Sequence, residues 1–300
     1  MGDTWQKLVR PPSRERRLLS DALMQRSESG GEGGATATTL AIGQGWRVVD
    51  ILCTSGPQDR PFEERHGGGS ISIVMEGTFV YRSDSGSSLM AAGALLLGNP
   101  GRNYECSHHH GEGDHCLSFQ FEPELFDRLA IEAGIIDRGS QVNRVPPVSA
   151  LAPITTRAML ARGGNDCWED VAFDLAASAL ETAAQTSRSR VPLAADWGRV
   201  SEVIRGMEAS IDSPHPLGDL AAEARMSNYH FLRTFKAMTG VTPHQWLLRA
   251  RLRDAAQRLV ATNSPVTSIA LDVGFDDLSN FIRSFRAEFG ASPSRYRASA

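Results

Sequence analysis

At residues 231–246 the chain reads FLRTFKAMTGVTPHQW, and at residues 281–296 it reads FIRSFRAEFGASPSRY. The two stretches match position by position at one constant offset, so they form an internal repeat. In each copy, two Phe residues four positions apart fall on one face of a predicted helix, and two basic residues fall on the opposite face. A Gly then indicates the end of that helix, and a Pro indicates the start of the next. The repeat therefore predicts two helices, each with a buried face and a cationic face.

A shorter apolar segment precedes each copy, at residues 220–224 and 269–273. A short helix, a tight turn and a longer helix with a basic outer face are typical of a helix-turn-helix. Two such units would place two recognition helices in successive major grooves of a DNA duplex, about 34 Å apart. The alternative is a plain helical repeat whose Arg and Lys side chains are only solvated.

The distribution of charge favours DNA as the partner. The 300-residue chain has a net charge of -4, which taken alone argues against nucleic acid. The negative balance comes from residues 1–190, whereas Arg and Lys outnumber Asp and Glu from Arg225 onward. A local basic excess is expected where one part of a chain meets phosphates. We therefore expect double-stranded promoter or operator DNA as the partner.

Residues 217–297 resemble the DNA-binding domain of the AraC/XylS family of transcription regulators over its full length. The segments that carry the resemblance are DLAAEARMSNYHFLRTFKAMTGVTPHQWLLRARL and VTSIALDVGFDDLSNFIRSFRAEFGASPSRYR. The resemblance implies two helix-turn-helix units joined by a central helix at about residues 243–261. Arg249, Arg251 and Arg253 on that helix are expected to pair with Asp254 or with solvent. The resemblance also implies a homodimer, and it makes RNA polymerase a candidate partner.

The same resemblance assigns the residues that touch DNA. Base-edge contacts fall on Asn228, Tyr229, Leu232 and Arg233 in the first recognition helix and on Leu278, Ser279, Asn280 and Arg283 in the second. Phosphate contacts fall on Ser227, His230, Lys236 and Arg286. Arg233 and Arg283 are the favoured base readers, because arginine can bind guanine through two hydrogen bonds.

The N-terminal part has a different pattern. Residues 1–39 are predicted to be a flexible segment, since residues 27–39 are small, polar and rich in Gly. Short apolar runs separated by turn residues then predict strands at residues 46–53, 70–75, 78–82, 94–97 and 116–121. By resemblance, residues 40–121 form a cupin-like β-barrel that senses an effector or dimerises. Residues 122–190 are predicted to be a helical segment with a linker, and residues 193–300 the DNA-binding domain. The fold class is thus multi-domain α+β, with the barrel and its flanking helices followed by an all-α domain.

An apolar stripe along residues 168–184 predicts a helix with one buried face. This helix either covers its own barrel or pairs with its twin in a dimer, and its short length favours the first.

Residues 106–116 read CSHHHGEGDHC and concentrate thiol and imidazole groups. These groups suit zinc or another divalent transition metal. The candidate ligands are His66, Cys106, His108, His110 and Cys116. Three of them, residues 106, 108 and 110, would share one face of a strand. A redox-sensing thiol pair and a polar barrel rim without a special role remain open. Cys53 is predicted to be a core residue, and Asp114 and Glu112 solvated turn residues.

The expected function is a transcription regulator that carries a sensory or dimerising barrel and takes a small-molecule or metal effector. The alternative is a cupin-type metalloenzyme, or a metal or redox sensor, with an appended helical domain. We expect no enzymatic activity, since no nucleophile triad or nucleotide-binding loop is recognisable. The first residues lack the apolar core of a secretion signal, and no apolar run reaches about 18 residues. We therefore expect a cytoplasmic protein without a membrane partner.

Overall fold

The computed structural model describes residues 14–135, 142–163, 167–185 and 194–299. Its strands all pair antiparallel and form two connected sheets. They are β1 (Ala35–Gly43), β2 (Trp46–Cys53), β3 (Phe62–Arg65), β4 (Gly69–Ser83), β5 (Gly86–Ala91), β6 (Leu95–Gly98), β7 (Asn103–Ser107), β8 (Asp114–Phe121) and β9 (Arg144–Val145). Its helices are α1 (Arg14–Ser29), α2 (Pro123–Glu132), α3 (Ala152–Ala161), α4 (Trp168–Ala184), α5 (Ala194–Ala209), α6 (Leu217–Glu223), α7 (Asn228–Thr239), α8 (Pro243–Ala261), α9 (Val266–Asp272), α10 (Leu278–Phe289) and α11 (Pro293–Ser299). In the described part of the chain, no helix is both long and apolar enough to cross a membrane.

The long strand β4 joins the two sheets. Its first half pairs with β8 and β6, in a sheet ordered β1-β2-β8-β4-β6-β9. Its second half pairs with β5 and β7, and β7 also pairs with β3. The apolar runs predicted as two separate strands at residues 70–75 and 78–82 are therefore one strand. The predicted cupin-like barrel is confirmed.

The first sheet begins before the predicted boundary at residue 40. Residues 35–39 form the start of β1 and pair with the end of β2, in a stretch predicted to be flexible. The β-branched residues Thr36, Thr38 and Thr39 favour extended backbone although they are exposed. An exposed edge strand lacks the alternation of apolar and polar residues that reveals a half-buried one. Because its residues are polar and exposed, the sequence pattern did not reveal this strand.

Both outer faces of the barrel are covered by helices. Helices α2, α3 and α4 cover the first sheet, where Val171, Leu175 and Ala179 of α4 are fully buried with Phe119 of β8. The interpretation that this helix covers its own barrel is confirmed. The second sheet presents Val80 and Leu89 to α5, α6 and α7, with which they share one apolar core. The helical C-terminal domain therefore packs directly against the barrel.

The C-terminal domain has the predicted two helix-turn-helix units. Helices α6 and α7 form the first, α9 and α10 form the second, and α8 links them over the residues expected. Phe231 and Phe235 are fully buried beneath α7, and Phe281 and Phe285 are fully buried beneath α10. The repeated aromatic pairs thus fix each long helix with its other face towards solvent.

Gly240 and Gly290 end the two long helices in the left-handed conformation, with φ of 83° and 74°. A Cβ on Gly240 would lie 2.4 Å from the Cβ of Pro146, whereas nothing lies within 4 Å of a Cβ on Gly290. Gly240→Ala should therefore lower the free energy of unfolding by about 2–3 kcal/mol, the sum of left-handed strain and overpacking. Gly290→Ala is the matched control and should lose only about 1 kcal/mol through strain. Urea unfolding of both variants measures the difference, and equal losses would contradict the contact with Pro146.

Candidate functional site

The outer face of α7 is polar and open to solvent. Ser227 precedes the helix and accepts a hydrogen bond from the backbone N–H of His230 at 3.3 Å, which fixes where the helix begins. The predicted DNA-contact residues on this helix are exposed, except that Leu232 is half-buried: Asn228, Tyr229, His230, Arg233 and Lys236. The His230 imidazole lies 3.6 Å from the Asp196 carboxylate of α5. The first unit thus presents the predicted cationic surface.

The outer face of α10 has the same design. Asp277 caps the helix by accepting the backbone N–H of Ser279 at 2.8 Å. All the predicted contact residues on this helix are exposed: Leu278, Ser279, Asn280, Arg283 and Arg286. The Arg283 guanidinium donates to the Asn280 amide oxygen at 3.3 Å, so these two side chains lie together on the surface. The second unit therefore also presents its cationic face outward.

Arg251 of α8 joins the two units, a role that sequence reasoning missed. Its guanidinium donates to three backbone carbonyls, those of Ile211 at 2.6 Å, Ser213 at 2.8 Å and Gly274 at 2.8 Å. Ile211 and Ser213 precede the first unit, and Gly274 lies in the turn of the second. One side chain therefore connects the segment that leads into the first unit to the turn of the second unit.

The other linking-helix arginines make contacts with distant parts of the chain, in addition to the partners that were expected. Arg249 lies 3.4 Å from the Glu288 carboxylate of α10 and donates to the Ser149 hydroxyl. Arg253 donates to the Ala92 carbonyl of the barrel at 3.5 Å. Asp254 pairs with Arg258, one helical turn further along, at 2.8 Å. Spacing along one helix accounts for the pair Asp254–Arg258, whereas the contacts of Arg249 and Arg253 with distant residues depend on how α8 packs against the rest of the chain.

An open cavity of about 490 Å³ lies at one end of the barrel. Its lining includes His66, Tyr104, Trp46, Arg47 and Gln120. The His66 ring stacks on Tyr104 with ring centroids 4.1 Å apart, and its Nε2 hydrogen-bonds the Tyr81 hydroxyl at 2.8 Å. Burial lowers the pKa of His66 to about 4, although Glu64 opposes the shift, so the imidazole is neutral at pH 7. This cavity offers a ligand the neutral His66, several aromatic faces and charged groups of both signs, among them Arg47 and Glu64.

A second polar cluster lies within the barrel. The thiol of Cys53, the imidazole of His108 and the carboxylate of Asp114 are all buried, with donor atoms within 4.8 Å of one another. His108 Nε2 lies 2.6 Å from Asp114 Oδ1, and the Cys116 thiol donates to Asp114 Oδ2 at 3.2 Å. Burial lowers the pKa of His108, but hydrogen bonds with Asp114 and Cys53 outweigh it and raise the pKa to about 9. Thiol, imidazole and carboxylate are the donors that a borderline metal ion prefers.

This cluster differs from the predicted set of five ligands. His108 is part of it, and Cys106 and Cys116 line the barrel interior beside it. His66 belongs to the aromatic stack described above. His110 is not on the strand, because β7 ends at Ser107 and residues 108–113 turn. Burial and the neighbouring Asp114 carboxylate raise the pKa of both the Cys106 and the Cys116 thiol.

Sequence reasoning missed two members of the cluster, Cys53 and Asp114. Cys53 is indeed buried on a strand, as predicted, but Asp114 is 5% exposed rather than solvated. They are direct neighbours in the register between β2 and β8. Only the long-range register of β2 with β8 shows that these two residues are neighbours.

Comparison with known proteins gives two matching family models. The AraC-like ligand binding domain matches residues 50–163, and a helix-turn-helix domain matches residues 220–299. The HTH-type transcriptional activator AarP of Providencia stuartii is 33% identical over 100 residues, which cover 33% of this chain and 74% of AarP. Transcriptional activator NphR of a Rhodococcus species is 36% identical over 141 residues, which cover 47% of this chain and 41% of NphR.

Among solved structures, the DNA-binding domain of AdpA in complex with a target DNA is 32% identical and covers 34% of this chain and 91% of that chain, with a TM-score of 0.33. The chain spans about three quarters of AarP but less than half of NphR. The match to AarP, above 30% identity over most of its length, confirms the family that the C-terminal repeat predicted. The chain belongs to the AraC/XylS family of transcription regulators.

Proposed function

We propose that this regulator places α7 and α10 in successive major grooves of promoter DNA, under control of its N-terminal domain. The observation that carries the proposal is the pair of equivalent helices. Each exposes two cationic side chains, Arg233 with Lys236 and Arg283 with Arg286, over a fully buried pair of Phe residues. The contacts of Arg251 support the proposal that α7 and α10 bind DNA together.

The roles of individual residues follow from their place on each helix. We propose that Arg233 and Arg283 read base edges, with Asn228, Tyr229, Leu232, Leu278, Ser279 and Asn280 beside them. Ser227, His230, Lys236 and Arg286 would hold phosphates. Arginine contacts to guanine carry sequence preference, whereas phosphate contacts fix position and give salt dependence.

Arg283→Ala tests this assignment. Because a bidentate arginine–guanine contact contributes about 1–3 kcal/mol, the variant should bind its preferred duplex more weakly by that amount. The duplex is first selected from a random library by the full-length protein, and binding is measured by fluorescence anisotropy against unrelated DNA. Arg60→Ala, at an exposed arginine of the N-terminal domain, is the control and should bind normally. Unchanged affinity of Arg283→Ala would refute this contact, and the absence of any sequence-selective binding would refute the proposed function.

We further propose that the protein activates transcription as a homodimer that recruits RNA polymerase in the cytoplasm. AarP and NphR are both named as activators, which supports activation. Purified RNA polymerase transcribing from the selected site should produce more transcript when the protein is added. Light scattering of the protein on its DNA would measure the dimer. Less transcript on addition of the protein would indicate a repressor.

The barrel cavity is the proposed effector site. The ligand-binding family model covers most of the barrel and supports a sensory role. The neutral His66, the Tyr104 ring and Arg47 would suit a small molecule with a flat apolar part and a polar or anionic end. The alternative of a cupin-type enzyme has less support, because AarP and NphR are both named as transcriptional activators.

A further inference from the structure

We propose that Cys53, His108 and Asp114 bind one divalent transition-metal ion, and that this ion changes how the barrel holds the DNA-binding domain. The first half of this inference concerns the barrel alone. The second half rests on the proposed function, because it requires a DNA-binding activity to control. The site is separate from the His66 cavity.

The geometry of the three donors carries the first half. Cys53 ends β2, Asp114 begins β8, and the two are paired in the sheet register. His108 directly follows β7. Their donor atoms lie within 4.8 Å of one another, and all three residues are at most 5% exposed. Residues at the ends of three barrel strands therefore place three different metal-binding groups next to one another in the interior.

The chemistry of the donors selects the class of ion. Thiolate, imidazole and carboxylate together favour zinc and its neighbours over calcium or magnesium, which prefer oxygen ligands. Bonds of about 2.0–2.3 Å would place tetrahedral ligand atoms about 3.3–3.8 Å apart. The three donor atoms already lie within 4.8 Å of one another, and the His108 and Asp114 atoms, now 2.6 Å apart, would have to separate. Three protein ligands leave a fourth position for water, as in sites that exchange their ligands. The Cys116 thiol already orients the Asp114 carboxylate, as a supporting residue would.

Metal binding must displace protons from this cluster. The Cys53 thiol and the His108 Nε2 each release a proton to solvent when the sulfur and the nitrogen bind the ion. The hydrogen bond between His108 and Asp114, 2.6 Å long, must open so that both atoms face the ion. The ion therefore replaces an existing contact, and the residues that carry it have to move.

These movements reach the DNA-binding domain through one turn. Residues 108–113 form the turn that connects β7 to β8. His108 is the first residue of this turn, and Asp114 directly follows its last residue. At its middle, the backbone carbonyl of His110 accepts a hydrogen bond from Arg205 of α5. The His110 ring also lies against Gly198 of α5, where an added Cβ would come within 2.9 Å of its Nδ1. Helix α5 shares a core with α7 through Val200, Val203 and Ile204. A shift of the turn therefore acts on the helix that supports the first recognition helix.

Cobalt titration of the full-length, chelator-treated protein tests the metal site. We expect one equivalent of Co²⁺ to bind with a thiolate-to-metal charge-transfer absorption band, and Zn²⁺ to displace it. Cys53→Ser should abolish that band, and Asp114→Asn should weaken Co²⁺ binding by at least about tenfold. Cys167→Ser, at an exposed thiol, and His109→Asn, next to the ligand, are matched controls and should bind as the wild type does.

The wild-type spectrum needs no variant, so it remains decisive even if Cys53→Ser fails to fold. Absence of one-to-one binding, or a spectrum without thiolate absorption, overturns the metal site. Circular dichroism of each metal-free variant identifies those that are folded. Unchanged binding in a folded Cys53→Ser protein also overturns the proposed site, because the ion would then be held by other residues.

The coupling is tested by DNA affinity with and without Zn²⁺. For the wild type, we expect the dissociation constant for the selected duplex to change by at least about fivefold. Arg205→Met should bind Co²⁺ as the wild type does, yet its DNA affinity should no longer respond to Zn²⁺. Arg199→Met, at an exposed position of the same helix, should keep the response.

The two halves fail in distinguishable ways. Selective DNA binding that ignores Zn²⁺ in the wild type overturns the coupling and leaves the proposed function intact. Stoichiometric Co²⁺ binding without selective DNA binding supports the metal site, overturns the coupling and refutes the proposed function.

Discussion

Replacing Asp50 with alanine should lower the free energy of unfolding by about 3–5 kcal/mol, because the change takes a carboxylate away from the buried imidazole of His115 and the partly buried guanidinium of Arg162. Asp50 Oδ1 lies 2.7 Å from His115 Nε2, and Oδ2 accepts a hydrogen bond from Arg162 at 2.6 Å. The side chains of all three are at most 19% exposed. This carboxylate joins β2, β8 and the end of α3. Urea unfolding at pH 7 measures the loss.

Asp84→Ala is the matched control for Asp50→Ala. Asp84 also pairs with an arginine, Arg102 at 3.3 Å, but its side chain is 68% exposed. An exposed pair contributes at most about 1 kcal/mol, so this variant should be close to the wild type. Equal losses at the two positions would contradict the importance of burial at Asp50.

The effect of Asp50 should depend on pH in a definite direction. Burial raises the pKa of Asp50, but His115 and Arg162 outweigh it and hold the pKa below its usual value of 3.8. A carboxylate whose pKa is lowered on folding stabilises the protein above its unfolded-state pKa, and that contribution is lost as pH falls through the folded-state pKa. The difference between wild type and Asp50→Ala should therefore shrink as the pH falls below about 4. A difference that grew on acidification would contradict the assignment.

The local signals in this sequence identified the helices well. Helix α8 has the expected bounds because its start depends on Pro243 and the capping pair Thr242 and Gln245, all within a few residues of one another. The exposed basic faces of α7 and α10 followed from helical periodicity and the repeated Phe pairs. Each of these features depends on residues less than two turns apart, so a sequence pattern is sufficient to predict it.

The features that could not be predicted depend on contacts between distant residues. Cys53 meets Asp114 only through the register of β2 with β8, which no local pattern reveals. His110 was expected on a strand face because residues 106, 108 and 110 alternate, but the Gly residues that follow end the strand earlier. Arg251 finds its partners among backbone carbonyls, which carry no side-chain signature. Function that rests on such contacts is visible only in three dimensions.

Arg251→Ala should weaken binding to DNA more than tenfold without removing any residue that touches DNA. The guanidinium connects the Ile211 and Ser213 carbonyls before the first unit to the Gly274 carbonyl in the second. When it is lost, the two recognition helices are no longer held at one spacing. Once the first recognition helix has bound its groove, the second helix is then present near its own groove at a lower effective concentration.

The same change should lower the free energy of unfolding. The separate contributions of three hydrogen bonds from a charged donor would add up to a larger free energy. The sum overstates the loss, because Arg251 is half-buried and its three contacts are not independent. A loss of about 3–4 kcal/mol is therefore expected. Arg251→Lys keeps the charge but lacks the planar fork that reaches three carbonyls at once, so it should recover only part of the stability.

Two duplexes separate a spacing defect from general loss of fold. One carries the full selected site, and the other has the half contacted by the second unit replaced. Arg251→Ala should lose more than about tenfold in affinity for the full site and little for the half site, because only the full site depends on the relation between the two helices. Measurement at a temperature where circular dichroism confirms a folded protein excludes unfolding as the cause. If both duplexes lost affinity equally, Arg251 would serve stability alone, and the two units would reach their grooves without a fixed connection.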